Sequence, residues 1–271
     1  MSRVVALLNP AGSSAKSTTA AALCAVAAAA GRRVLAVDLD PQANLTGWLG
    51  GSSDTAGITQ AIRAAVANHP DAWPGVSAEE VRADLRRHVQ RTIQPASVEG
   101  VQLIAADPGV RALLRSWGDL REEGADQLLA EALAPLADQF DLIVLDCKGD
   151  LGALSEAALR AADEVIGVAT PTLKSLEGLT VLRAEASSVG ARFRTVIPVR
   201  VRHRNAGAEQ ADLAELMAEQ WAEEVTPPIR GGVGLDAAYA AGRPITVAEP
   251  RSRISEDVRA VYGVLVDRGV L

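Results

Sequence analysis

The stretch Arg3-Val4-Val5-Ala6-Leu7-Leu8-Asn9-Pro10-Ala11-Gly12-Ser13-Ser14-Ala15-Lys16-Ser17-Thr18 runs from an apolar segment through a small, polar loop into the alanine-rich residues 19–30. Strand, loop and helix in that order are the setting a phosphate-binding loop requires. A helix N-terminus offers unpaired N–H donors and the positive end of the helix dipole. On this reading Gly12, Ser13, Ser14, Ala15, Lys16, Ser17 and Thr18 cradle phosphates, Lys16 gives charge to the β- and γ-phosphates, and the Ser17 hydroxyl ligates Mg²⁺. Of the 27 Lys and Arg residues only Lys16, Lys148 and Lys174 are lysines. A lysine kept amid so many arginines marks a place for a compact ammonium. The loop alone does not decide the matter, because Ala15 and Pro10 stand where such loops carry glycine, and an ordinary capped helix start also fits.

Two further segments decide it. Val34-Leu35-Ala36-Val37-Asp38-Leu39-Asp40-Pro41 is a buried-type strand running into two carboxylates and a turn. Phe140-Asp141-Leu142-Ile143-Val144-Leu145-Asp146 is a second apolar strand ending in an acid, as a Walker B aspartate does. Acids at the carboxyl ends of parallel strands lie in the crevice where open α/β sheets bind ligands.

The ordered set formed by residues 9–18, residues 38–44 (Asp-Leu-Asp-Pro-Gln-Ala-Asn), residues 141–146 and Ala161-Ala162-Asp163-Glu164-Val165 resembles the ParA/MinD family of deviant-Walker ATPases. The likeness continues through residues 171–178 (Pro-Thr-Leu-Lys-Ser-Leu-Glu-Gly) and Ala241-Gly242-Arg243-Pro244-Ile245 and is nearest to the short ParA proteins that lack an amino-terminal DNA-reading domain. It implies a P-loop NTPase fold, with ATP and Mg²⁺ as cofactors and an ATP-sandwich homodimer. It also implies slow hydrolysis stimulated by a cargo adaptor of ParB or McdB type, and non-specific binding to nucleoid DNA in the cytoplasm. By position, Lys16 would hold phosphate, Ser17 would bind Mg²⁺, Asp40 would orient the attacking water, Asp146 would hold Mg²⁺ through water, and Asp38 would support the magnesium shell. Phosphoryl transfer asks mainly for such positioning and charge neutralisation.

The chain departs from the family at the lysine that reaches across the dimer, which falls at Ala11, and at Asp146-Cys147-Lys148-Gly149, where the family has Asp-x-Pro-Pro. The McdA branch, which spaces carboxysomes, resembles this chain in lacking that lysine and uses a later one. Lys174, placed after Pro171 at a helix start, fits that description better than Lys148, which lies beside the acid of residue 146.

Composition sets limits. With 271 residues and 48% apolar residues, one α/β core suffices, and a mostly parallel doubly wound sheet is expected as a single domain with a helical elaboration at about residues 52–97. Apolar runs at 101–105, 165–169, 195–201 and 225–229 read as strands. Residues 125–137, 208–221 and the amphipathic 78–90 read as helices. No run approaches membrane-spanning length, so no membrane partner is expected, and residues 252–271 read as a packed helix with a strand-like end rather than a lysine-rich membrane helix. Cys24 and Cys147 read as free thiols.

The net charge of −7 means that DNA affinity must come from a local patch. Arg192, Arg194, Arg200, Arg202 and Arg204 form the densest basic run, and alternation puts Arg200, Arg202 and Arg204 on one side of an extended strand. Two functions of different class remain: a partitioning ATPase that positions plasmid, chromosome or a protein organelle, and an ATP-sensing dimeric scaffold that hydrolyses little because Ala11 and Ala15 weaken the loop.

Overall fold

The computed structural model describes residues 2–11, 15–54, 56–67, 77–110, 127–201 and 208–271. Eight strands form one sheet in the order β3-β4-β2-β5-β1-β6-β7-β8: β1 (Arg3–Leu8), β2 (Val34–Asp38), β3 (Ile93–Pro95), β4 (Val101–Ile104), β5 (Leu142–Asp146), β6 (Glu164–Ala169), β7 (Phe193–Val201) and β8 (Ile229–Arg230). All pairings are parallel except that of β3 with β4. Strands β2, β5 and β6 are buried along their whole length. That is why they read as unbroken apolar runs: helices cover a parallel sheet on both faces.

On one face Val5, Leu7, Ala36, Val144 and Ile166 pack against α1 (Lys16–Ala29), α2 (Asn44–Trp48) and the C-terminal helix. The alanines of α1 present little bulk, so that helix lies close to both the sheet and the C-terminal helix. On the other face Leu8, Leu35, Val37, Ile143 and Leu145 meet α3 (Ile58–Ala67), α4 (Ala78–Gln90), α5 (Leu128–Leu133), α6 (Ala153–Ala161) and α7 (Leu173–Ser188). Helix α8 (Ala208–Gln220) adds Met217, and Trp221 follows it, against β7 and α7. The short helices α9 (Leu235–Ala240) and α10 (Ile245–Ala248) lead into α11 (Arg253–Asp267).

Helix α4 starts at a Ser77/Glu80 capping box, and its Leu85 and Val89 are buried, so the amphipathic reading of 78–90 holds. Apart from shifts of one or two residues at element ends, and strand β3 inside the segment expected to be helical, three segments differ from the sequence reading. The run 225–229 keeps only a bridge at Val225 and the two-residue β8, since Pro227 and Pro228 have no N–H to give a ladder. The helix expected at 125–137 is α5 followed by a 3₁₀ turn, Ala134–Leu136, containing Pro135. Its first residues lie outside the described ones. The C-terminal end forms no strand: α11 stops at Asp267, Gly269 turns the chain with φ +65°, and the buried Val270 donates its N–H back to Leu265 O at 2.9 Å. Cys24 and Cys147 are buried free thiols, and among the described residues no helix is long and apolar enough to cross a membrane.

Candidate nucleotide site

The carboxyl ends of β1, β2 and β5 converge where α1 begins. Pairing of β2 with β5 sets Asp38 directly beside Asp146, and pairing of β1 with β5 sets Leu7 on the other side of Asp146. Lys16 opens α1, is largely buried, and its Nζ donates to Asn9 O at 3.3 Å. The residue before it, Ala15, has φ +54° and ψ +28°, the left-handed conformation that glycine adopts freely. The absent glycine has therefore not changed the backbone at this point; alanine bears a steric cost of about 1–2 kcal/mol there. Gly12, Ser13 and Ser14 of the expected cradle lie outside the described residues.

Asp146 is fully buried and neither carboxylate oxygen has a hydrogen-bond partner. Burial first, and then the charge of Asp38, hold its pKa well above the usual carboxylate range, while the nearby Ser17 hydroxyl and Lys16 charge oppose them. Asp38 is also fully buried, and burial pushes it up to about 6. Its oxygens are already in use. Oδ2 accepts from the Thr46 N–H and hydroxyl, each at 2.8 Å, and Oδ1 from the Asp40 N–H at 3.0 Å. Asp38 thus braces the turn that carries Asp40. That turn closes with the Gln42 N–H donating to Asp40 Oδ1 at 2.9 Å and with Ala43 at φ +55°.

A cavity of about 350 Å³ opens over these groups, lined by Ala15, Lys16, Ser17, Thr18, Asp40 and, farther along, Arg200 and Asp236. Such a volume holds a small-molecule ligand. A buried carboxylate with two orphaned oxygens beside a lysine and a serine hydroxyl is short of a cation, and oxygen donors of this kind suit magnesium. Among the described residues no three His, Cys, Asp or Glu side chains gather as a metal cluster.

The other predicted residues fall elsewhere. Lys148 does not pair with Asp146; its Nζ lies 2.5 Å from Asp150 Oδ2 at the surface. Lys174 is exposed in the first turn of α7 and does not line its own cavity. Ala11 is only 5% exposed, packed where α7 crosses the loop: a Cβ on Gly178 would stand 2.5 Å from Asn9 Oδ1 and 3.3 Å from Ala11 N. Asn9 fastens this crossing, donating from Nδ2 to Val168 O and Ser175 Oγ while Oδ1 accepts from Ala11 N–H. The alternation expected of Arg200, Arg202 and Arg204 breaks at its first member, since Arg200 has φ +56°. Arg202 and Arg204 lie outside the described residues. Arg194 and Arg192 both point at the buried Glu164.

Comparison with known proteins completes the site. The family model for the AAA domain AAA_31 matches residues 2–198. The chain is a member of the ParA/MinD family of P-loop ATPases. This family member is 32% identical over 180 residues to the chromosome partitioning protein ParA of Myxococcus xanthus, covering 66% of this chain and 56% of that one. It is 29% identical to the sporulation initiation inhibitor protein Soj of Bacillus subtilis, covering 94% and 95%. Its fold superimposes on apo McdA of Cyanothece with a TM-score of 0.79 at 19% identity, covering 98% and 100% of the chains. Cobyrinic acid a,c-diamide synthase of Mycobacterium smegmatis gives a TM-score of 0.73 at 26% identity over 99% and 95%. That synthase has also been solved with ADP and magnesium. In this ParA/MinD-family chain the sequence reading missed the far wall of the cavity: Asn44, Trp48, Asp236 and Tyr239. Trp48 and Tyr239 stack edge to face at 5.1 Å. In a chain with only 3% aromatic residues that scarcity was a usable signal, but it carries no partner assignment.

Proposed function

We propose that this chain binds Mg·ATP in the cavity, dimerises through it, hydrolyses ATP slowly under an adaptor of ParB or McdB type, and positions a cargo on DNA. The observation that carries the reading is the orphaned, buried Asp146 carboxylate beside Lys16 and Ser17. Magnesium, when bound, would neutralise phosphate charge. Ser17 and, through water, Asp146 would hold it, and Lys16 would hold the phosphates. Asp38 fixes the backbone of Asp40, whose carboxylate would orient the attacking water; this is the positioning that phosphoryl transfer demands. Arg200, Arg202 and Arg204 are the proposed DNA contacts, while Arg192 and Arg194 are directed to Glu164.

The buried Ala11 favours a second reading, a scaffold that binds ATP and hydrolyses little, since a lysine is absent from the position that would serve the partner's nucleotide. Phosphate release with adaptor and DNA present separates the two. The nucleotide reading itself is tested by light scattering with Mg·ATP: the parent chain should double in mass and Lys16→Ala should not. An ATP-dependent dimer of unchanged affinity in that variant would refute the assignment of the loop.

A further inference from the structure

We propose that Thr46 is a positioning residue for hydrolysis: its buried hydroxyl commits the Asp38 carboxylate to the loop that carries Asp40. The inference rests on the reading of Asp40 as the group that orients the attacking water, and it assigns a new residue to that task. Asp38 closes residues 39–45 into a loop clasped at both ends by one carboxylate. Oδ1 takes the Asp40 N–H at one end, and Oδ2 takes the Thr46 N–H and hydroxyl at the other. The two residues of this loop that line the cavity, Asp40 and Asn44, both lie inside the clasp.

The clasp is anchored from two neighbouring strands. Toward β5, the Leu39 N–H donates to Asp146 O at 2.9 Å. Toward β4, the Ala106 N–H donates to Thr46 Oγ1 at 3.2 Å, so the hydroxyl that gives its proton to Asp38 accepts one from the chain leaving β4. The rest of Thr46 is pinned as well. Its carbonyl accepts from the Gly51 N–H at 2.9 Å, and a Cβ on Gly51 would stand 3.3 Å from its Cγ2. The carboxylate these groups hold has a competing use, because Asp38 is the register partner of Asp146. An Asp38 side chain free to turn would be drawn toward any cation held there. Protein donors fill three of its roughly four acceptor sites. The Thr46 hydroxyl is the donor that side-chain chemistry can remove, and a hydrogen bond to a carboxylate is among the stronger kinds. Neither Thr46 nor Asp38 lines the cavity. The loss of the hydroxyl therefore falls on the placement of Asp40, and so on rate rather than on binding.

The test compares the parent with Thr46→Val, which keeps the shape and the N–H, and with Thr46→Ser, which keeps the hydroxyl. The measurements are ATP titration with magnesium and single-turnover phosphate release. Thr46→Val should bind Mg·ATP within about threefold of the parent and release phosphate about 10²-fold more slowly, the effect of a misplacement of about 1 Å in a reacting geometry. Thr46→Ser should restore the rate. In the Asp40→Ala background Thr46→Val should slow release no further, because the group it positions is gone; a merely structural defect would persist there. Thr46→Val also orphans the Ala106 N–H. If that variant does not fold, Thr46→Cys, whose thiol is a weak donor of similar size, takes its place with the same expected split between binding and rate. Release at the parent's rate by Thr46→Val, a fully additive loss in the Asp40→Ala background, or a loss confined to ATP affinity or to the magnesium concentration for half-saturation would overturn the proposal. A parent chain that releases no phosphate, or an Asp40→Ala chain that releases it like the parent, would overturn the hydrolysis reading itself, which separates the two failures.

Discussion

Asp38 and Asp146 are register partners on adjacent strands, two fully buried carboxylates side by side, with both oxygens of Asp38 held by protein donors and those of Asp146 facing only the nearby Ser17 hydroxyl and Lys16 charge. A pair of like charges in a dry site is costly unless a cation or a proton is present. The free chain therefore carries an electrostatic cost that ligand removes, and the two roles of Asp146 can be separated. Asp146→Asn, which keeps the shape and discards the charge, should leave the free chain at least as stable as the parent in urea. It should also lose most of the rise in melting temperature that Mg·ATP gives the parent. A free chain destabilised by several degrees, with the Mg·ATP shift intact, would contradict this account.

Asp40 is held differently. Its backbone is fixed by Asp38 and its Oδ1 by Gln42, while its side chain faces the cavity. Removing that carboxylate takes nothing from the phosphate cradle. Asp40→Ala should bind ATP within about threefold of the parent and lose turnover by about 10²–10⁴, the usual worth of a positioned acid–base group. Single-turnover phosphate release is the measurement; equal rates in the two proteins would remove Asp40 from the reaction.

The strands and their terminal acids were legible because burial on both faces writes continuous apolar runs, and an acid at such an end stands out against them. Asp38 and Asp146 were read in this way; the structure buries both beneath a cavity that Lys16, Ser17 and Asp40 line. What escaped was set by backbone conformation and long-range approach. Nothing in a single sequence says that Arg200 leaves the strand alternation, or that the closely packed Ala11 meets Gly178 some 170 residues later. The far wall, Trp48 and Tyr239, joins α2 to α9 and is a product of tertiary packing alone.

Arg33 and Asp141 tie the amino-terminal ends of β2 and β5 together. Arg33 donates to Asp141 from its backbone N–H at 2.9 Å and from Nε and Nη2 at 3.1 and 2.7 Å, and these bonds hold the Asp141 pKa far below its usual value. A depressed folded pKa gives stability that is complete above the unfolded aspartate pKa of about 4 and is lost as the pH falls below it. Asp141→Asn should therefore lower the urea midpoint at pH 7, and its deficit should shrink steadily below pH 4. A deficit of the same size at pH 7 and pH 3 would mean that packing, not charge, is what Asp141 supplies.

Two lysines are left to replace the one absent at position 11, and their surroundings differ. Lys148 is engaged with Asp150 on its own chain. Lys174 is exposed, does not line its own cavity, and stands next to Leu173, which is 61% exposed. It also lies four residues before Gly178, on the face of α7 that crosses the phosphate loop at Asn9 and Ala11. On the proposed reading of an ATP-dependent dimer, a cation outside its own cavity would serve a second copy's triphosphate, and the exposed Leu173 beside it would lie in the seam. Lys174→Ala should then abolish the ATP-dependent dimer and cut stimulated turnover by about 10²–10³, the worth of one electrostatic contact to a developing charge, while monomer affinity for ADP is kept. Lys148→Ala should still dimerise. Light scattering and phosphate release on the two variants decide between them, and a Lys174→Ala chain that dimerises with ATP like the parent would eliminate Lys174 as the trans cation.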